Sequence, residues 1–124
     1  MNTKISYQYR DGCNYKMANE CIVQGAITPE QQKQIQSCLD DDEYFIPRQV
    51  GLPERRFEKF DPEVDHIWFE LSEDGFELTE DEPTCDQTAE ALVECFLRSK
   101  DNWINWMSLL DNAYSDIQQS GAAQ

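Results

Sequence analysis

The fold is decided by the stretch Ile5-Ser6-Tyr7-Gln8-Tyr9-Arg10-Asp11-Gly12, which lies near the start of the chain. Apolar side chains alternate with polar ones from Ile5 to Tyr9, which predicts a strand with one buried face. The Asp-Gly pair is a strong hairpin signal, and a second strand is predicted from Tyr15 to Val23. The sequence therefore predicts an antiparallel hairpin as the first unit of the fold.

A short helix is predicted directly after the hairpin. Thr28 is a suitable N-cap, Pro29 fits the first helical position, and Gln31 completes a capping box. The acidic run at residues 40–43 would oppose the helix dipole if it stood at the C-terminus. We therefore expect this helix to end near Leu39.

A second and much longer helix is predicted from about Asp86 to Ile117. Its apolar residues recur in steps of three and four, which is a heptad-like seam. The seam contains Ala89, Leu92, Phe96, Ser99, Trp103, Trp106, Leu110, Ala113 and Ile117. A helix of about 30 residues is ~45 Å long, whereas a domain of this size is ~30 Å across. We therefore expect the helix to overhang the sheet and to join two or more copies of the chain.

The predicted architecture is α+β. Short strands at residues 65–71 and 76–78 complete a small antiparallel sheet. This sheet carries one short helix and one long C-terminal dimerising helix. In this prediction residues 1–117 form a single domain, and residues 118–124 form a small, polar and flexible tail.

The charge of the chain excludes several classes of partner. Its 124 residues include 25 Asp and Glu but only 10 Lys and Arg, which gives a formal net charge of −15. DNA and anionic membranes are poor partners, because both attract clustered basic side chains. The first residues lack the apolar region of a signal peptide, and no apolar run reaches the ~20 residues that cross a bilayer. We therefore expect a cytoplasmic protein.

The sequence gives little support for catalysis or metal binding. Its five cysteines form no Cys-x-x-Cys pair. The series Asp61-x-Glu63-x-Asp65 resembles the start of a calcium loop, but His66 stands where that loop requires glycine. His66 is also the only histidine, and a lone strand histidine is more often structural than catalytic. We expect no metal, no cofactor and no enzymatic activity.

The segment 44–60 is a candidate binding loop. Four of the ten cationic residues lie there among four aromatic residues; the cations are Arg48, Arg55, Arg56 and Lys59. Arginine forks hold pyrophosphate bidentately and aromatic rings stack on nucleobases, so the loop fits a compact anion with a flat ring. Further candidates are Arg10, Asn14, Tyr15 and Lys16 at the hairpin, and Arg98 and Asn102 on the long helix. The alternative is that each arginine pairs with one of the many carboxylates.

Four motif strings carry a family resemblance. They are Tyr9-Arg10-Asp11-x-x-Asn14-Tyr15-Lys16, Tyr44-Phe45-Ile46-Pro47-x-Gln49-Val50-Gly51-Leu52-Pro53, Arg56-Phe57 and Asp65-His66-x-Trp68-x-Glu70. They cover residues 5–80 well and the following helix loosely. On these motifs the chain resembles the first family of phage anti-Thoeris proteins, which are sponges for cyclic ADP-ribose signals.

The resemblance implies a function, a ligand and an assembly. In Thoeris defence a TIR enzyme makes a cyclic ADP-ribose isomer, such as gcADPR, that triggers cell suicide, and the sponge binds this messenger without destroying it. Some members also capture cyclic trinucleotides at a separate site in a trimer of dimers. The resemblance thus implies a homo-oligomer that acts in the host cell cytoplasm if a phage encodes it.

The ligand contacts are inferred at the positions that match the motifs. The guanidinium groups would hold the pyrophosphate, and Tyr15 or Phe57 would stack on the adenine. The inferred ligand-binding residues are Arg10, Asn14, Tyr15, Arg48, Arg56, Phe57, Arg98 and Asn102.

Three alternatives stay open at the level of sequence. The chain is acidic enough to act as an interaction inhibitor or mimic that blocks a defence protein through surface charge. A hydrolase that degrades the messenger would use His66 or a carboxylate as its base. A purely structural protein would bind no ligand.

Overall fold

The structure is a computed structural model that describes residues 1–55 and 66–104. Two predicted ligand residues, Arg56 and Phe57, lie outside the described residues. The predicted helix beyond residue 104 and the predicted tail at 118–124 lie outside them as well.

Strand β1 (Asn2–Arg10) is the centre of the sheet. It pairs along most of its length with β2 (Lys16–Val23). Two shorter strands follow later in the chain, with β3 (Tyr44–Phe45) paired to β4 (Phe69–Glu70) and β4 paired to the second half of β1. The first half of β1 pairs with β5 (Phe76–Thr79). The four pairings between these strands are antiparallel, so the predicted hairpin and small antiparallel sheet are confirmed.

One face of the sheet is buried by a core rich in aromatic rings. Ile5, Tyr7 and Tyr9 of β1 point into it, as their alternation predicts. The Phe69 ring of β4 lies 5.2 Å from the Tyr9 ring and 6.0 Å from the Tyr7 ring. Phe45 of β3 joins the same cluster, 5.4 Å from Tyr7. Such ring pairs contribute about 0.5–1.5 kcal/mol each beyond the area they bury, so they fix β3 and β4 against β1.

Helix α1 (Pro29–Cys38) begins and ends where the sequence predicts. The Gln31 N–H donates to the Thr28 hydroxyl at 3.1 Å, and the Thr28 N–H donates to the Gln31 side chain at 2.9 Å. This reciprocal pair is the predicted capping box. Leu39 adopts an extended conformation and ends the helix.

Helix α2 (Ala89–Ser99) is much shorter than predicted, so the prediction of one continuous helix from Asp86 to Ile117 is wrong. Lys100 leaves the helical conformation, and Asp101 adopts a φ of 60°. A left-handed residue interrupts an α-helix, and aspartate tolerates that conformation better than most residues. Eleven residues span only about 16 Å, so α2 does not overhang the sheet.

The chain after α2 turns back onto the domain. The indole Nε1 of Trp103 donates to the Cys38 carbonyl at 2.9 Å, and the Trp103 ring lies 5.9 Å from the ring of Phe96. The predicted seam residues Ala89, Leu92, Phe96 and Ser99 are all buried within this chain. An amphipathic helix that packs within its own domain has the same three-and-four spacing as a dimer seam, so the spacing from Ala89 to Ser99 does not by itself indicate a dimer.

The chain passes close to β1 at Gly75, between β4 and β5. A Cβ atom at this position would lie only 2.6 Å from the Ser6 carbonyl oxygen, so this close approach requires glycine. Because of this close approach, β5 pairs with β1, with Phe76 opposite Ile5. β4 and β5 therefore follow each other along one edge of β1.

Candidate functional site

A groove of about 700 Å³, here called the sheet groove, lies over the centre of the sheet. Ser6, Gln8 and Arg10 line it because they alternate with the buried residues of β1. The charged residues of its lining are Arg10, Glu20, Glu43, Arg55 and Glu70. The described lining thus brings two arginine and three glutamate residues to one surface.

Arg10 is a cation of the sheet groove that is paired with Glu70. Its Nε lies 2.9 Å from one oxygen of Glu70 and its Nη2 lies 3.2 Å from the other. Gln8 donates a third hydrogen bond to the same carboxylate at 3.1 Å. Antiparallel pairing creates this cluster, since Gln8 stands directly opposite Glu70.

The ion pair shifts the pKa of both partners. Burial alone would raise the pKa of Glu70, but hydrogen bonds from Arg10 and Gln8, together with the charge of Arg10, leave it below its ordinary value. The hydrogen bond to Glu70 raises the pKa of Arg10. Glu70 is therefore ionised and Arg10 is protonated at neutral pH.

The hairpin turn places Asn14 beside Arg10. The Asp11 carboxylate accepts the N–H groups of Cys13 at 3.0 Å and Tyr15 at 2.8 Å, and Asn14 adopts a φ of 68°. In this geometry Arg10 Nη1 donates to the Asn14 side-chain oxygen. Tyr15 lies in the turn and is 68% exposed, so its assignment to the second strand is wrong. The structure brings Arg10 and Asn14 together, while Tyr15 is not among the described residues of the groove lining.

Arg55 is a groove residue that the ligand assignment from sequence missed. The Asn19 side chain holds its backbone, since the Arg55 N–H donates to Asn19 Oδ1 at 2.8 Å and Asn19 Nδ2 donates to the Arg55 carbonyl at 3.0 Å. The Tyr7 hydroxyl fixes the same segment by donating to the Pro53 carbonyl at 2.5 Å. The sequence signal for this contact is Asn19, a buried asparagine opposite a Pro-rich loop. Which residue Asn19 binds, however, depends on tertiary packing.

Arg48, Arg98 and Asn102 lie in a second region, near the end of α2. Arg48 Nε lies 3.5 Å from Glu54 Oε1, as the pairing alternative for the arginines predicts. Gln49 connects this loop to the chain after α2, because its Nε2 donates to the Asn102 carbonyl at 3.1 Å. Arg98 Nη2 contacts Cys95 Sγ at 3.6 Å. None of these three predicted ligand residues is in the described lining of the sheet groove.

A second concave surface, here called the ring cleft, is formed by Asp40, Tyr44, His66 and Trp68. Its volume is about 310 Å³. His66 and Trp68 are partly exposed while Ile67 between them is buried, which is the alternation expected of an extended segment. The Trp68 N–H donates to His66 Nδ1 at 3.0 Å, so the histidine makes the kind of local hydrogen bond expected of a structural residue.

Two further properties apply to the described part of the chain. Within residues 1–55 and 66–104, no three His, Cys, Asp or Glu side chains are arranged to hold a metal ion. No helix in these residues has the length and apolar character needed to cross a membrane.

No family model, curated protein or solved structure matches the chain. The resemblance carried by the four motif strings therefore stays a prediction, and the sheet groove and the ring cleft rest on their own geometry.

Proposed function

We propose that the protein is a non-enzymatic sponge that sequesters a cyclic nucleotide immune messenger in the sheet groove and thereby blocks anti-phage defence. The observation that carries this proposal is the groove, whose volume of about 700 Å³ lies within the ~300–1,000 Å³ of small-molecule sites. The motif resemblance supplies the ligand class, a cyclic ADP-ribose isomer such as gcADPR. Cyclic trinucleotides are a second ligand in the same proposal, and the site of action is the host cell cytoplasm.

Arg10 supports this proposal because its guanidinium is already held in a two-point hydrogen-bonding geometry. It donates from Nε and Nη2 to the two oxygens of Glu70, and the same fork binds phosphate oxygens. A bound pyrophosphate would take over these donors, while Glu70 would keep its hydrogen bond from Gln8. Pyrophosphate would replace the Glu70 carboxylate at the guanidinium of Arg10. The guanidinium would therefore have an anionic partner both before and after the ligand binds.

The carboxylates of the sheet groove oppose an anionic ligand. Glu20, Glu43 and Glu70 stand against Arg10 and Arg55, and the whole chain carries −15. Repulsion over long range is screened beyond about 8 Å at physiological ionic strength. We therefore expect the affinity for the messenger to rise when salt increases from low to physiological concentration.

Calorimetry with cyclic ADP-ribose isomers tests the proposal. We expect binding at micromolar protein and recovery of the intact messenger after the complex is denatured. Arg55→Gln should weaken binding about tenfold or more, because a hydrogen bond to a charged group is lost. Lys33→Gln makes the same charge change on an exposed residue of α1 and should have little effect.

Three results would contradict the proposal. Absence of heat with every isomer would exclude the messenger as ligand, and a cleaved product would show a hydrolase. A loss in Arg98→Gln that equals the loss in Arg55→Gln would move the binding site to the end of α2.

Assembly through the C-terminal part of the chain belongs to the same proposal. The sequence continues the apolar seam with Trp106, Leu110 and Ile117, and Leu97 and Ile104 are 48% and 55% exposed. We propose a dimer, or a trimer of dimers, formed by these apolar residues. Light scattering should give a mass of at least twice 14.5 kDa; a monomeric mass would contradict the assembly and leave binding in the groove to be judged by calorimetry.

An acidic inhibitor of a defence protein is the second candidate function. The acids at residues 40–43 and 80–82 are all exposed, and such surfaces attract basic partners at long range. This function predicts binding to a basic protein that weakens steeply with salt and survives Arg55→Gln. The sponge function predicts instead that binding of the messenger strengthens with salt and weakens in Arg55→Gln.

A further inference from the structure

The ring cleft carries aromatic and acidic groups but has no role in the proposed capture of the messenger. Its lining combines the phenol of Tyr44, the imidazole of His66 and the indole of Trp68 with the carboxylate of Asp40. Among the residues that the structure describes, this lining includes no Lys or Arg. Its chemistry is therefore the reverse of that of an anion site.

Contacts with the rest of the fold position the rings of Trp68 and His66 and the backbone of Tyr44. The Trp68 ring lies 6.5 Å from the Trp103 ring at an interplanar angle of 72°. The His66 carbonyl accepts from the Tyr9 hydroxyl at 2.5 Å, and its ring accepts the Trp68 N–H. Tyr44 exchanges two backbone hydrogen bonds with Asp40, at 2.7 and 2.8 Å. The rings of Trp68 and His66 are therefore pre-arranged, which lowers the entropic cost of binding a ligand.

The electrostatic field at the cleft is negative. Asp40 and the three acids that follow it are exposed. The charge of Glu43 raises the pKa of Tyr44, and burial, Glu70 and Asp41 raise it further. Arg10, the cation whose own pKa responds to Glu43 and Tyr44, is paired with Glu70 and lines the sheet groove. A ligand of positive charge would meet attraction here both from carboxylates and from the faces of the rings.

We propose that the ring cleft binds a quaternary ammonium group. Aromatic faces attract an alkylated ammonium through their quadrupoles without requiring hydrogen-bond acceptors. A primary ammonium or a guanidinium carries three or five N–H donors that need acceptors when they leave water, and Asp40 is the one carboxylate of the described lining. The volume of about 310 Å³ is at the lower end of the small-molecule range, which suits a compact head group.

Titration with choline, followed by NMR of the indole N–H signals, tests this site. The Trp68 signal is assigned by its loss in Trp68→Phe. We expect choline to shift it saturably, while dimethylbutanol, in which carbon replaces the charged nitrogen, binds at least about tenfold more weakly. A parallel titration with a short peptide that contains trimethyl-lysine separates two sources of the group, and the tighter of the two ligands identifies the source.

Paired variants separate direct contact from the general charge of the protein. Asp40→Asn and Asp42→Asn remove the same charge from the same turn, but only Asp40 lines the cleft. Choline binding should weaken about fivefold or more in Asp40→Asn and change less than about twofold in Asp42→Asn. Tyr44→Leu should weaken it about tenfold, whereas Tyr44→Phe, which keeps the ring, should retain it.

The expected results exclude a general effect of charge or hydrophobicity. Equal binding of choline and dimethylbutanol would overturn the proposal, as would equal losses in the two Asp variants. An unmoved Trp68 signal with both ammonium ligands would overturn it as well. The dispersion of the amide signals in the same spectra shows that each variant is folded, and none of these results depends on whether the protein binds a cyclic nucleotide.

Discussion

The sheet groove and the ring cleft share neighbouring residues of two segments, 43–44 and 68–70, but use their charges differently. Glu43 and Glu70 line the groove, and the nearby residues Tyr44 and Trp68 line the cleft. In the groove a carboxylate is neutralised by Arg10, whereas the described lining of the cleft holds rings and Asp40 without an arginine. In a chain with few cations, the positions of those cations therefore decide the charge of the ligand that each site prefers.

The largest expected effect comes from removing the support that both sites share. Phe69 lies in β4 and is fully buried between the rings of Tyr7 and Tyr9. Phe69→Ala should lower the free energy of unfolding by about 3–5 kcal/mol and abolish binding at both sites. Urea denaturation measures the loss, and Leu78→Ala, which truncates an exposed residue of the same sheet, should cost less than about 0.5 kcal/mol.

A smaller effect is expected from the ion pair of the sheet groove, and it should depend on pH. Because the Arg10 side chain is 35% exposed, solvent screens the pair, so Glu70→Gln should cost about 1–2 kcal/mol at neutral pH. The pKa of Glu70 is lower in the folded protein than its ordinary value. Its stabilisation is therefore fully present above the unfolded pKa of about 4.3 and disappears as pH falls through the folded pKa.

Urea denaturation of the wild type and Glu70→Gln at neutral and acidic pH checks this dependence. The two proteins should differ most near neutrality and converge in acid. Glu20→Gln is a suitable control, because the Lys4–Glu20 pair on the same sheet is exposed and 3.8 Å long. A difference that grows as pH falls would contradict the assignment of the ion pair.

Trp103→Phe should separate the two sites. It removes the indole donor to Cys38 and alters the ring that packs against Trp68. The expected cost in stability is about 1 kcal/mol. Choline binding at the cleft should weaken, while binding of the messenger in the sheet groove should stay within about twofold. Calorimetry with each ligand measures the two affinities. Equal losses of affinity for choline and for the messenger would show that Trp103 acts through global stability.

The smallest expected effect is a difference in response to salt. Between low and physiological ionic strength, screening should strengthen binding of the anionic messenger and weaken binding of choline, each by a fewfold. The same protein sample serves for both titrations. A change of the same sign for both ligands would contradict the contrast between the sites.

Local signals in the sequence predicted the elements that form early in the chain. Alternation placed Ile5, Tyr7 and Tyr9 in the core, and the capping box fixed the start of α1 at Thr28. These features depend on neighbours within a few residues, so one sequence contains them. The pairing of Arg10 and Asn14 was also predictable, because both flank the same turn.

Features that depend on tertiary packing were not predictable. The stop of α2 requires a positive φ at Asp101 and the return of Trp103 to Cys38, and neither is visible in a heptad pattern. Arg55 reaches the groove through Asn19, 36 residues away. The ring cleft combines Tyr44 of β3 with Trp68, which directly precedes β4. The resemblance identified motif residues but did not indicate which of them share one surface.

The most direct test of the account is a two-ligand NMR titration of the wild-type protein. Addition of the cyclic ADP-ribose isomer should shift the side-chain amide signal of Gln8 in the sheet groove and leave the indole signal of Trp68 unchanged. Subsequent addition of choline should shift Trp68 to saturation without displacing the messenger. Displacement of one ligand by the other, or a messenger that shifts Trp68 and leaves Gln8 unmoved, would contradict two sites of opposite charge preference.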